Sequence, residues 1–318
     1  MKPPEGYSTR AVTRADAPAV LEILAASDRA LIGEADYAAE DLAEEWGRPR
    51  FDLATDPFLV TVHDHGQALD GSPVAYAYIW ESEAGRVVVS WFAVHPDHDT
   101  EALEAFMLER IETRAREKLA GAEPGTAVLR GVAYENETIA PRLLRESGFE
   151  PVRYFWRMAI PLRGDEAPPE PPGGITLRDF EPDTDAADVH AALLEAFADH
   201  WGTPTAPFDE WTEEFMTGDE YDPTLWIVAE DGEQVAGALL ARRTGERGWI
   251  AELGVRPAWR GRGVGAALLR SSFARFAARG VREAILSVDS DNVTGATRLY
   301  ERVGMTSRFR FDFWEKRL

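Results

Sequence analysis

The segment Val255-Arg-Pro-Ala-Trp-Arg-Gly-Arg-Gly-Val-Gly-Ala-Ala-Leu-Leu holds the residues whose types and spacing point most directly to chemistry. Gly261, Gly263 and Gly265 stand with Arg260 and Arg262 between a short apolar run and a stretch of helical periodicity. Glycines at such a junction let backbone N–H groups approach an anion closely. The helix start adds unsatisfied donors and the positive end of its dipole, and the guanidinium groups add charge. The run from Arg260 through Gly261, Arg262, Gly263, Val264 and Gly265 to Ala266 would therefore suit a pyrophosphate. A Walker-type loop needs Gly-Lys-Ser/Thr at its end, which Val264-Gly-Ala lacks. The dinucleotide fingerprint needs Gly-x-Gly-x-x-Gly, and these glycines are spaced two by two. The plainer alternative is a turn whose glycines serve only close helix packing.

Arg260-Gly-Arg-Gly263-Val-Gly265, preceded by Leu253-Gly254-Val255, resembles the Arg/Gln-x-x-Gly-x-Gly/Ala signature of the GNAT acetyltransferases. A second stretch, Val288-Asp-Ser-Asp-Asn292 running through Leu299-Tyr300 to Gly304, resembles the other landmark of that family. The resemblance implies that acetyl-CoA is the co-substrate and that a small-molecule primary amine attacks its thioester directly, with no covalent enzyme intermediate. It implies that the backbone of Leu253, Gly254 and Val255 pairs with the pantetheine amides as a pseudo-strand. It further implies that Asn292 touches the pantetheine arm and that Tyr300 stands near the sulfur as general acid. By residue type alone Asn292 also suits a helix N-cap and Tyr300 an amphipathic core position.

A base for the ammonium proton is the remaining need. Glu252 lies on the cofactor strand, although strict alternation sets it opposite Ala251 and Leu253, and a bulge would be needed to exchange its face. Asp199-His200-Trp201 falls where the family builds its acceptor wall and sets an imidazole beside a carboxylate, with an exposed helix-end histidine as the plain alternative.

Several elements must hold these groups in place. Trp249 to Val255 reads as a short strand broken by Pro257. Val264, Leu268, Leu269, Phe273 and Phe276 form a helical stripe that ends at Arg279-Gly280. Glu283 to Val288 reads as a strand, Asn292 to Arg302 as a helix and Arg308 to Glu315 as a last strand, with Phe309, Phe311 and Phe313 alternating as core residues. Upstream, Thr224 to Ala229 and Gln234 to Arg242 form a hairpin through Glu230-Asp231-Gly232.

With 318 residues the chain is longer than one ordinary core supports, and the Pro- and Gly-rich stretch 164–174 divides it near the middle. Ser90 to Pro96 echoes Ala251 to Pro257, and Asn136 through Gly148 echoes Asn292 through Gly304, so the halves read as two copies of one fold. The expected architecture is α/β (α+β): tandem GNAT folds, each a twisted mixed sheet covered by helices, over 1–163 and 175–318. Slid without gaps from Val94, the first copy sets Asp99 at Arg260, Ala102 at Gly263 and Glu104 at Gly265, and the second anchor sets Leu144 at Tyr300. Carboxylates there would repel a pyrophosphate, so the C-terminal copy is expected to do the work. One degenerate and one intact copy resemble the mycothiol synthase group, echoed by Leu193 to Gly202 and by Val-Asp-Ser-Asp-Asn.

The absence of cysteine removes disulfides, zinc-thiolate sites and cysteine nucleophiles. Neither a secretory leader nor an apolar run long enough for a membrane span is visible, which predicts a cytoplasmic protein. The net charge of −22 argues against nucleic acid or acidic membrane partners. A monomer or homodimer and no metal are expected. A protein or peptide N-acetyltransferase and a non-catalytic acetyl-CoA sensor are the alternative functions.

Overall fold

The computed structural model describes residues 2–48, 50–63, 71–83, 85–123, 125–198, 200–201, 206–218, 221–291 and 295–318. Its elements run β1 (Tyr7–Ala11), α1 (Ala17–Ile32), α2 (Ala39–Glu45), β2 (Pro57–Val62), β3 (Ser72–Glu83), β4 (Val87–Val94), α3 (Glu101–Lys118), β5 (Val128–Tyr134), α4 (Ala140–Glu146) and β6 (Glu150–Pro161). They continue with β7 (Thr176–Asp179), α5 (Pro182–Phe197), α6 (Phe208–Phe215), β8 (Ile227–Asp231), β9 (Gln234–Thr244), β10 (Arg247–Val255), α7 (Val264–Ala278), β11 (Glu283–Asp289), α8 (Ala296–Arg302) and β12 (Thr306–Arg317). None of the described helices is long and apolar enough to cross a membrane.

Two compact units emerge, Met1–Tyr154 with Phe309–Leu318, and Phe155–Arg308. In the first the strands lie in the order β1-β2-β3-β4-β5-β12. In the second the order is β7-β8-β9-β10-β11-β6. Each sheet is antiparallel except for one parallel pair, β4 with β5 and β10 with β11. The topology is the same twice, but the closing strands have changed places. β6, from the first half of the sequence, pairs with β11 from Phe155↔Asp289 to Pro161↔Glu283. β12, from the second half, pairs with β5 from Phe311↔Tyr134 to Arg317↔Val128. The expected division at 164–174 follows chain order, and the compact units do not. That stretch joins β6 to β7 inside the second unit, because β6 belongs to the second sheet.

Packing explains the assignments. On β9 every residue from Val235 to Ala241 is buried, as an apolar central strand between helical layers requires. α7 buries Val264, Leu268, Leu269, Phe273 and Phe276 and stops at Arg279, before Gly280 at φ +75°. In the first unit α3 buries Leu103, Phe106, Met107 and Ile111. The expected alternation on the last strand is corrected in one respect: Phe311 and Phe313 are half-buried, and it is Trp314 that enters the core of the first unit, among residues such as Leu129, Leu143 and Phe149. Its partner strand β5 fixes that face, which chain order could not indicate.

Candidate active site

Two features of β10 create the site. The parallel ladder with β11 holds only from Arg247↔Glu283 to Trp249↔Ile285, although β10 runs on to Val255 and β11 to Asp289. Beyond Trp249 the strands part, and among the described residues Glu252 to Val255 have no ladder partner on the β11 side, Val255 O accepting from the Arg260 side chain. On the other edge these residues remain paired with β9, so the free edge is held straight. An extended amide chain could add to it as a strand.

The second feature is a bulge at Ala251, where Ile250 pairs with Ala241 and Glu252 with Leu240. A Cβ on Gly248 would meet the Phe276 ring of α7 at 2.6 Å, whereas a Cβ on Gly254 would meet Leu193 Cδ2 of α5 at 2.6 Å. Regular alternation would keep both glycines on one face. The extra residue puts them on opposite faces, so Glu252 points with Gly254 toward the α5 and α6 side.

Past Val255 the chain makes the glycine turn. Gly261 (φ +75°) and Gly263 (φ +87°) occupy the left-handed region that favours glycine, and Gly263 is the N-cap of α7 with no side-chain cap. The first-turn N–H groups of Val264, Gly265 and Ala266 have no acceptor within the helix and border a cavity of about 690 Å³. At Gly265 a Cβ would approach Leu299 Cδ2 to 2.9 Å, so glycine here also lets α7 and α8 meet closely. Packing and anion binding are thus served by the same residues. This cradle fits a pyrophosphate by backbone donors more than by the arginines. Arg260 gives Nε to Val255 O (3.1 Å) and Nη2 to Ala196 O (2.9 Å), tying the last turn of α5 to the end of β10. Arg262 is paired with Asp231 (3.1 Å), which also accepts from the Trp259 indole (2.9 Å). Both guanidinium groups are thus engaged with acceptors of the protein itself.

Tyr300 sits in the cavity wall, 8% exposed, and burial pushes its phenol up to about 12. Such a group stays protonated across the neutral range. Glu252 borders the same cavity. Burial first, then the nearby Glu214, raises its carboxyl to about 7, and the Trp211 indole opposes them. Its Oε2 is buried and has no hydrogen-bond partner among the described residues. Around Glu252 the same face of the sheet carries Trp249 with the Arg157 guanidinium 4.6 Å from its ring centroid. Arg157 also donates to Ser287 Oγ (3.1 Å), while Asp289 accepts from the Asp291 backbone N–H.

Of the expected site residues, Glu252, Leu253, Gly254, Val255, Arg260, Gly261, Gly263, Val264, Gly265, Ala266, Tyr300 and His200 all line the cavity. Arg262 and Trp201 do not. Trp201 lies against Phe155, with ring centroids 6.4 Å apart. Asp199 and Asn292 lie outside the described residues, and α8 begins at Ala296 behind Gly295 (φ +71°), four residues later than expected. Phe155, Arg270, Ser287, Asp289 and Arg302 also line the cavity and were not expected. For Phe155 no local signal exists, since it enters through the exchange of β6. Asp289 lay within the Val-Asp-Ser-Asp-Asn motif and could have been read there.

The first unit has the same parting strands, with β4 and β5 paired only from Val87↔Val128 to Ser90↔Gly131. Its helix start differs. Thr100 is the N-cap of α3, and its Oγ1 accepts from Leu103 N (3.3 Å). Six positions separate Val94 from Thr100, against eight from Val255 to Gly263, so this loop is two residues shorter. The gapless match is corrected accordingly: Asp99 still falls at Arg260, but Ala102, not Glu104, takes the place of Gly265. Glu104 is one turn into α3, where burial first and Asp99 next push its carboxyl up to about 9. Leu144 occupies the fifth position of α4 as Tyr300 does of α8, and is buried against Gly131.

The sequence profile of the acetyltransferase (GNAT) family matches residues 187–305. The mycothiol acetyltransferase of Thermobispora bispora is 32% identical over 251 residues, spanning 74% of this chain and 78% of that protein. The chain belongs to the GNAT acetyltransferase family. Acetyl-CoA is accordingly its acyl donor. Among solved structures, a GCN5-related N-acetyltransferase from Sphaerobacter thermophilus superposes with a TM-score of 0.86 at 33% identity, over 99% of this chain and 97% of that one. A tandem GNAT protein from the clavulanic acid biosynthesis pathway gives a TM-score of 0.72 at 14% identity over 98% of both chains, a likeness of fold alone. The chain is thus a tandem GNAT protein, with two mixed sheets of one topology.

Proposed function

We propose that the second unit performs the acetyl transfer and that its acceptor is the primary amine of a small polar molecule, of the kind used by the mycothiol acetyltransferases it resembles. The observation that carries this reading is the meeting, in one cavity, of the unpaired β10 edge, the open N-terminus of α7, Tyr300 and Glu252. When bound, acetyl-CoA supplies the activated acyl carbon. The α7 donors hold its pyrophosphate, and the β10 edge aligns its pantetheine arm.

Ionised above about pH 7, Glu252 takes a proton from the acceptor ammonium, and the freed nitrogen attacks the thioester carbonyl carbon. A C–N bond forms, the C–S bond breaks, and Tyr300 gives its phenolic proton to the departing sulfur. The products are the amide and the CoA thiol. The nitrogen, which still carries one proton more than an amide, releases it through solvent to the Tyr300 phenolate, and solvent removes the one on Glu252. The polar, mixed-charge floor of Arg157, Ser287 and Asp289 suits an acceptor carrying hydroxyl or amide groups.

The first unit, with its Thr100 cap, shortened loop and Leu144, is proposed to bind no acetyl-CoA. Tyr300→Phe tests the chemistry. Release of free CoA with a panel of small amines should fall by roughly 10²–10⁴ while acetyl-CoA binding is kept. Tight acetyl-CoA binding without release by the unmutated protein, whatever the amine, would leave a sensor in place of an enzyme. Calorimetric titration should find one acetyl-CoA site per chain, and two sites would refute the assignment to the second unit.

A further inference from the structure

Among the buried polar atoms near the reaction centre that lack partners among the described residues are Oε2 of Glu252, an acceptor, and Nε1 of Trp211, a donor. Leaving either group unmade in a core costs about 1–3 kcal/mol, so two facing orphans of opposite kind call for a reason. Trp211 is in α6, 4% exposed, packed between Phe208 and Trp226 and 5.3 Å from the His190 ring. His190 in turn is anchored by Nε2 to Ala206 O (2.9 Å). The indole is therefore fixed, and the freedom lies with the carboxyl of Glu252 on β10, turned to this side by the Ala251 bulge. One turn along α6 from Trp211, on the same helical face, stands Glu214.

We propose that α6 tunes the Glu252 carboxyl: Trp211 is a positioning residue whose indole N–H takes Oε2 when the carboxyl ionises, and Glu214 opposes that ionisation by like charge. With Oε2 sealed away from the cavity, Oε1 is the atom left to receive the ammonium proton. This inference rests on Glu252 acting as the base. Burial raises Glu252, Glu214 raises it further and the Trp211 indole lowers it. Other charged or titratable groups around it are Arg242 on β9, over the Trp249 ring, Asp289 on β11 and His200 after α5. Arg242 also has a buried Nε donor, but of these groups and the indole only Trp211 acts on Glu252 through a hydrogen bond.

The test follows the ionisation of Glu252 itself, by the carbonyl infrared band of its protonated form in the intact protein, assigned by its loss in Glu252→Gln. Trp211→Phe keeps the packing and removes the N–H, and should move that titration to higher pH by up to about one unit. Glu214→Gln should move it to lower pH, less so at high salt because Glu214 is exposed. The acid limb of kcat/KM should move with each. Titrations that stay put, or that move the same way in both variants, overturn the proposal. Infrared shifts in opposite directions with an unmoved kinetic limb uphold the α6 tuning and remove Glu252 as base, which separates this failure from that of the proposed mechanism.

Discussion

Glu252 and Glu104 are both carboxyls lifted far above the ordinary range by burial, and their surroundings give them different meanings. Glu252 borders the cavity, whereas Glu104 is shut in beside Asp99 with its own Oε2 unpartnered. A carboxyl whose folded pKa is raised binds its proton more tightly folded than unfolded, so its contribution favours folding below the unfolded value and turns against it as pH climbs toward the folded one. For Glu104 that window runs from the ordinary 4.5 to about 9. Glu104→Gln should therefore raise the melting temperature at pH 8 and change it little at pH 4, as read by thermal unfolding at the two pH values. Equal effects at both would contradict the burial argument. At this scale the glycine turn was legible because glycines report backbone conformation locally. The partners of Arg260 were not legible: Ala196 O is 64 positions away and is delivered by α5 packing.

At the scale of elements, the site depends on how closely β9 and β10 approach at the end of the bulged strand. A Cβ on Gly237 would stand 2.5 Å from Gly254 O, a backbone atom of the strand proposed to align the cofactor, which cannot yield without breaking the ladder. Around Gly261 no atom lies within 4 Å of such a Cβ. Gly237→Ala should cost roughly 1–3 kcal/mol and raise KM for acetyl-CoA. Gly261→Ala should cost only about 1 kcal/mol, from its left-handed backbone. Chemical denaturation of the two variants side by side tests the ranking. The strands and helices themselves followed from periodicity, since Trp249–Val255 and Val264–Phe276 have apolar residues at the spacing of their class. The bulge did not. One extra residue leaves no mark in composition, yet it decides the face of Glu252.

At the scale of the whole molecule, duplication was legible from the repeated anchors, whereas the exchange of β6 and β12 was not, because strands of similar pattern can close either sheet. Stability should follow the exchange. A fragment of residues 150–308 keeps β6 on β11 and Met158 in its core, and should unfold cooperatively. A fragment of residues 164–318, cut at the linker, exposes the β11 edge and should melt broadly or aggregate. Far-ultraviolet circular dichroism during heating distinguishes them, and a sharp transition for 164–318 alone would argue against β6 as part of the second core.

The swap also bears on how the polypeptide is made. Val128–Tyr134 emerges from the ribosome long before Thr306–Arg317, the strand it must pair with. The first unit therefore waits, one edge open and the place of Trp314 unfilled, through synthesis of the entire second unit. A premature stop near residue 308 would spare Glu252 and Tyr300 and strike instead at the unit proposed to perform no chemistry.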